Sequence, residues 1–216
     1  MRDYSRFDDY LNRLYAAIYS QPEDSGHTDW CKDAIELLPS NVNSVLDVGC
    51  GTGFAQDLLK VQSYTGITAI ENDRKVAREK KRNVRLGDMT YLTFNNESFD
   101  LIFARHVLEH SPFPILTLME WYRVSRKYLL LVAPAPEYWN VHGRNHLSVA
   151  YKNQLWWYLT VAGWNIVKTN DMTTADLPYL LTYTDNNERK KAEKHLEPYP
   201  GPPQVVEYRF LCEKKT

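Results

Sequence analysis

Residues 45–59 read VLDVGCGTGFAQDLL, and the reading of this stretch decides the fold. SVLDV, 44–48, has the apolar density of a buried strand. Glycines stand at 49, 51 and 53, and FAQDLLK, 54–60, has helical character. A strand that runs through a glycine loop into a helix opens a βαβ unit. Glycine lets backbone N–H groups approach a ligand and takes positive φ without strain. A pyrophosphate-binding loop would read G-x-G-x-x-G. This one reads G-x-G-x-G and carries Asp47 two residues ahead of Gly49. A carboxylate so close repels a phosphate and suits a cation.

Outward from this loop, strands alternate with helices. YTGITAI (64–70), VRLGD (84–88), FDLIFA (99–104), KYLLLVAP (127–134), WNIVKT (164–169) and VVEYRFLCEK (205–214) complete seven strands. Helices are predicted at 73–81, capped by Asn72, and from Ser111 and Pro112 to near Arg123, with Pro112 at the first helical position. Two more follow at 149–163, capped by Ser148, and at 186–197. The alternation predicts an α/β fold, a doubly wound parallel sheet covered by helices on both faces. Ahead of it, Phe7, Tyr10, Leu11, Leu14, Tyr15 and Ile18 recur at helical spacing over 5–19, and Thr28 can cap a second helix that ends at Pro39. The expected organisation is one domain, 1–216. It has a helical cap at 1–40, a core at 41–170, an insertion at 171–204 with the Pro-rich connector EPYPGPPQ, and the last strand at 205–216.

The composition excludes several classes. A length of 216 residues with 44% hydrophobic and 25% charged residues suits a globular domain. A net charge of -1 gives no global field for nucleic acid or an anionic membrane. No apolar run approaches the roughly 20 residues of a membrane span, and MRDYSRFDDY does not read as a signal peptide. Cys31, Cys50 and Cys212 have no metal-like spacing, so reduced thiols in a cytoplasmic protein are expected. Seven basic residues between Arg74 and Arg85 alternate with Val76 and Ala77, which reads as a solvated helix face rather than a nucleic-acid stripe.

VLDVGCGTG resembles the first motif of the class I S-adenosylmethionine-dependent methyltransferases. LGDM (86–89), FDLIFARHVLEHSP (99–112) and NHLSVAYKNQLWWYLTVAGW (145–164) follow in the family's order. They are similar to the small-molecule, "methyltransferase type 11" subgroup. The resemblance implies a Rossmann-like seven-stranded sheet with an antiparallel last strand, and S-adenosyl-L-methionine as cofactor. It implies a cofactor site of Asp47, Gly49, Cys50, Gly51, Glu71, Asp88, Met89 and Arg105. Glu71 follows Gly51 by about 20 residues, the distance at which an acid meets a ribose. The family more often places that acid where this chain has Thr68, and Asp73 is the alternative. Asp88 is expected at the adenine amine and Met89 on its ring.

Methyl transfer to a hydroxyl or protonated amine needs a base. His106 and His110 follow the fourth strand, and His142 and His146 follow the fifth, on the same rim; His27 lies between the N-terminal helices. His146 is the first candidate for the catalytic base and His106 the second. His142, Arg144, Tyr15 and Tyr19 are expected at the substrate. Arg144 offers a planar fork to an anionic group, and the tyrosines, with Tyr10, offer rings that close the pocket. His142 and His146 are four apart, but Gly143 and Asn145 make that stretch a loop, and no third ligand is evident, so no metal is expected. PEYWNVHGRNH (136–146) suits a sugar, nucleotide-sugar or natural product, O- or N-methylated. The expected partner is thus a small-molecule acceptor, with no nucleic acid and no membrane. The alternatives are a nucleic-acid or protein methyltransferase, or a non-catalytic cofactor-binding regulatory subunit.

Overall fold

The computed structural model describes Asp9, Arg13 and residues 31–139, 146–176 and 202–215. Among the described residues, eight strands form one sheet: β1 (Ser44–Val48), β2 (Ser63–Thr68), β3 (Val84–Leu86), β4 (Phe99–Arg105), β5 (Ser125–Pro134), β6 (Trp164–Thr169), β7 (Met172–Thr173) and β8 (Val205–Lys214). Their order is β3-β2-β1-β4-β5-β8-β6, with β7 paired to β8. The pairs β1–β2, β1–β4, β2–β3 and β4–β5 are parallel. β8 runs antiparallel to β5, β6 and β7. The doubly wound sheet with an antiparallel last strand is therefore present, and the two-residue β7 is added to the seven expected strands.

Side-chain alternation explains why the sheet is covered twice. Val45, Leu101, Phe103, Leu130 and Val132 point to one face, where they meet Cys31, Ala34 and Leu37 of the segment from residue 31. Leu46, Val48, Ile102, Ala104, Leu129 and Leu131 point to the other, under Trp121 and Leu155. Those two residues belong to the helices Pro114–Val124 and Lys152–Val161. Strand order reverses at β1, between β2 and β4, which opens a crevice at the strands' carboxyl ends.

The helix starts differ from expectation. Asn72 lies inside the helix Glu71–Glu79, whose N-cap is Ile70. The Thr68 hydroxyl accepts from the Ile70 N–H at 3.2 Å, so capping chemistry comes from the end of β2. Pro114, not Pro112, stands in the first helical turn of Pro114–Val124. The Ser111 hydroxyl is taken up by the Phe113 N–H at 3.1 Å and the Thr117 hydroxyl at 2.6 Å. Ser148 caps nothing; its hydroxyl donates to the Ser111 carbonyl, and the helix starts later, after Tyr151. The helices predicted at 5–19 and 186–197 lie outside the described residues.

Candidate active site

A cavity lies above the carboxyl ends of β1, β2 and β4, walled by Asp47, Gly49, Gly51, Asp73, Met89 and Arg105 among others. The three loop glycines all have positive φ, yet they do different work. A Cβ on Gly49 would lie 2.3 Å from Val107 Cγ2, and one on Gly53 would lie 2.5 Å from Val84 Cγ2. These two are required by packing. A Cβ on Gly51 would meet nothing nearer than Asp73 Oδ2, at 3.8 Å, so Gly51 keeps the cavity open. Cys50 lines the cavity with a buried thiol that burial holds well above its ordinary pKa. Its Sγ stands 2.6 Å from where a Gly66 Cβ would be.

Asp47 and Asp73 are the buried acids of this cavity. Asp47 accepts from the Tyr64 hydroxyl at 2.6 Å. Burial pushes its pKa up to about 7, against the pull of that hydrogen bond and of the Arg105 charge. Asp73 Oδ2 lies 3.4 Å from the Thr68 hydroxyl. Glu71, in contrast, faces solvent and grips Arg74 with both oxygens, at 2.9 and 2.6 Å. That hydrogen bonding holds its pKa below the usual carboxylate range. Glu71 does not line the cavity. Asp88 is also outside the lining; its Oδ1 accepts from the Thr90 N–H and hydroxyl, both at 2.7 Å. Its neighbours Gly87 and Met89 do line the cavity, and the Met89 carbonyl is held by the Trp121 indole N–H at 2.9 Å.

At the rim, β4 delivers Arg105 and then His106, whose φ of 51 is left-handed. Both reach Glu207 on β8: Arg105 Nη2 at 2.7 Å and His106 Nε2 at 2.8 Å from Oε1. Arg209 Nη2 lies 3.1 Å from Oε2. Glu207 is fully buried. Burial alone would raise its pKa, but the charges of Arg105, His106 and Arg209 hold it well below the usual carboxylate range. Sequence reading missed Glu207, although a charged residue inside the apolar run of VVEYRFLC was its signal.

His110 lines the cavity, and its ring meets that of His146 at 4.8 Å between centroids, tilted by 48°. His146 is not itself in the lining. The N–H groups of Leu147 and Ser148 donate to the Glu109 carbonyl at 2.7 and 2.9 Å and pull this loop onto residues 108–110. The Glu109 side chain is buried, and burial pushes its pKa up to about 8. Tyr10, Tyr15, Tyr19, His27, His142 and Arg144 lie outside the described residues.

These residues fit a sulfonium nucleoside. The opening at Gly51 leaves backbone accessible, Asp47 and Asp73 supply negative charge, and Ile67 and Met89 supply an apolar wall. Comparison with known proteins agrees. Residues 46–131 match the methyltransferase domain family. The O-methyltransferase adaD of Aspergillus niger is 26% identical over 147 residues, covering 58% of this chain and 57% of that protein. The chain thus spans little more than half the length of this curated relative. Among solved structures, a methyltransferase of Haloferax volcanii in complex with the Trm112 activator is 17% identical, with 98% and 97% of the two chains covered and a TM-score of 0.70. A SAM-dependent methyltransferase of Archaeoglobus fulgidus is 20% identical, with 98% and 100% covered and a TM-score of 0.62. These structures share the fold. No helix among the described residues is long and apolar enough to cross a membrane.

The fold is the Rossmann-like one of solved S-adenosylmethionine-dependent methyltransferases. The match to the methyltransferase domain family is carried by residues 46–131.

Proposed function

We propose that this chain transfers a methyl group from S-adenosylmethionine to a hydroxyl of a small polar acceptor such as a sugar, nucleotide-sugar or natural product. The observation that carries the reading is the position of His106, at the cavity rim and 2.8 Å from the buried Glu207. Similarity to an O-methyltransferase supports oxygen as the acceptor atom. The buried free thiols Cys31, Cys50 and Cys212 support a cytoplasmic setting.

In this reading the cofactor supplies an electrophilic methyl group on sulfur. The chain binds, aligns and deprotonates. Asp73 takes the ribose hydroxyls in place of Glu71, because it is the acid of the helix after β2 that faces the cavity. Asp47 faces the cofactor's positive end, Met89 packs on the adenine, and Arg105 braces the rim through Glu207. His106 Nε2 faces the Glu207 carboxylate at 2.8 Å, so Nδ1 is the nitrogen that takes the acceptor's proton. Its left-handed backbone costs on the order of 1–3 kcal/mol, and such strain collects at functional positions. Glu207 plays the part of the third group that orients a base.

The test is release of S-adenosylhomocysteine from S-adenosylmethionine across a panel of hydroxylated and amino compounds. The reading expects turnover with a hydroxylated compound that falls by about 100-fold or more in His106→Ala. Turnover with amino compounds alone, or undiminished in that variant, contradicts it.

A further inference from the structure

The expectation of no metal rested on the absence of a third ligand near His142 and His146. The fold supplies different partners. The ligand atoms of Glu109, His110 and His146 all lie within 4.8 Å of one another. Glu109 and His110 sit on the turn after β4, and His146 comes from the loop after β5. The Leu147 and Ser148 N–H groups, both on the Glu109 carbonyl, hold that loop in place. The Ser148 hydroxyl on the Ser111 carbonyl adds a further tie.

A second observation points to a ligand. Glu109 is 4% exposed, and its Oε2 has no hydrogen-bond partner among the described residues. A buried carboxyl oxygen left without a donor or cation is costly. A divalent ion would satisfy it. Two imidazoles and one carboxylate form the ligand set of open zinc-type sites, and also suit manganese, cobalt and ferrous iron. Ligand atoms on one ion at about 2.1 Å stand roughly 3–3.5 Å apart.

We propose that Glu109, His110 and His146 bind one divalent metal ion at the acceptor side of the cavity, with open coordination positions for an oxygen-rich acceptor. His110 lines the cavity, so an ion on its ring borders the space where the acceptor meets the cofactor. Three protein ligands leave at least one position for an acceptor hydroxyl, which favours vicinal diols and similar chelating groups. This role for the ion rests on the methyl-transfer reading; the binding of the ion does not.

The experiment titrates chelator-stripped protein with Co2+, followed by visible absorption and calorimetry, and measures S-adenosylhomocysteine binding on the same samples. One Co2+ per chain is expected. Glu109→Gln and His146→Ala are each expected to weaken it by about tenfold or more while retaining S-adenosylhomocysteine binding, which shows that the variants are folded. No Co2+ binding by wild type, or equal affinity in wild type and the folded variants, overturns the site. Co2+ bound by wild type without S-adenosylhomocysteine binding upholds the site and counts against methyl transfer instead.

Discussion

His106 Nε2 lies 2.8 Å from Glu207 Oε1, although the two residues stand about a hundred positions apart in the chain. β8 makes the contact by inserting antiparallel beside β5, which pairs Glu207 with Pro134. The carboxylate also holds Arg105 and Arg209, so Glu207→Gln acts on both activity and stability. It is expected to lower kcat by about tenfold or more with a smaller change in KM. The acid limb of the kcat–pH profile moves to lower pH, because the negative charge that favours the imidazolium is gone. Two buried guanidinium groups lose their partner, which costs on the order of 3–5 kcal/mol in chemical denaturation. An unchanged pH profile would leave Glu207 a merely structural anchor.

Asp73 and Glu71 are distinguished by binding. A charge-assisted hydrogen bond contributes about 1.5–3 kcal/mol, so Asp73→Asn is expected to weaken S-adenosylhomocysteine by roughly 10- to 150-fold in calorimetry. Glu71→Gln removes an exposed pair with Arg74 and changes affinity by less than about twofold. The reverse ranking would restore Glu71 as the ribose acid.

Two glycines two residues apart are expected to fail in different ways. Gly49→Ala combines a positive φ with a Cβ 2.3 Å from Val107 Cγ2. Strain and overlap together cost about 2–4 kcal/mol. Tm then falls by roughly 5–15 °C. Gly51→Ala carries the φ strain without the clash, and its methyl group enters the cavity. Its melting point falls less, but cofactor affinity falls more. Equal effects on both readouts in the two variants would refute this division.

Asp47 links pH to stability and to binding with opposite signs. Its pKa in the folded chain is raised to about 7, above the ordinary aspartate value. Between about pH 4 and 7 the folded state holds a proton that the unfolded state has released. This group's contribution is therefore full below about pH 4 and falls as pH rises, by up to about 1.4 kcal/mol per pH unit. Asp47→Asn is expected to remove that slope from the difference between the two denaturation curves. A cationic ligand favours the ionised form, so wild-type affinity for S-adenosylmethionine tightens as pH rises through about 7. No such trend is expected in the variant.

Much of the fold was legible because burial and strand period coincide. Ser44–Val48, Trp164–Thr169 and Val205–Lys214 begin and end where the apolar patterns do. Helix starts were less legible, since Asn72, Pro112 and Ser148 are good capping or first-turn residues in the wrong place. Backbone geometry at Ile70, Phe113 and Tyr151 sets the true starts. The choice between the two candidate ribose acids turns on the same starts. Residues 71 and 73 belong to one helix, so they point about 200° apart, and that angle depends on where the helix begins. Glu207 near His106 and His146 over His110 arise from pairings distant in sequence, which leave no local periodicity to read.

Calorimetric titration of the purified chain with S-adenosylmethionine and S-adenosylhomocysteine tests the central claim most directly. The account predicts one molecule of either bound per chain, with affinity for both lost or strongly weakened in Asp73→Asn and Gly51→Ala. A folded wild-type chain that binds neither nucleoside, or binds them equally well in both variants, would contradict it.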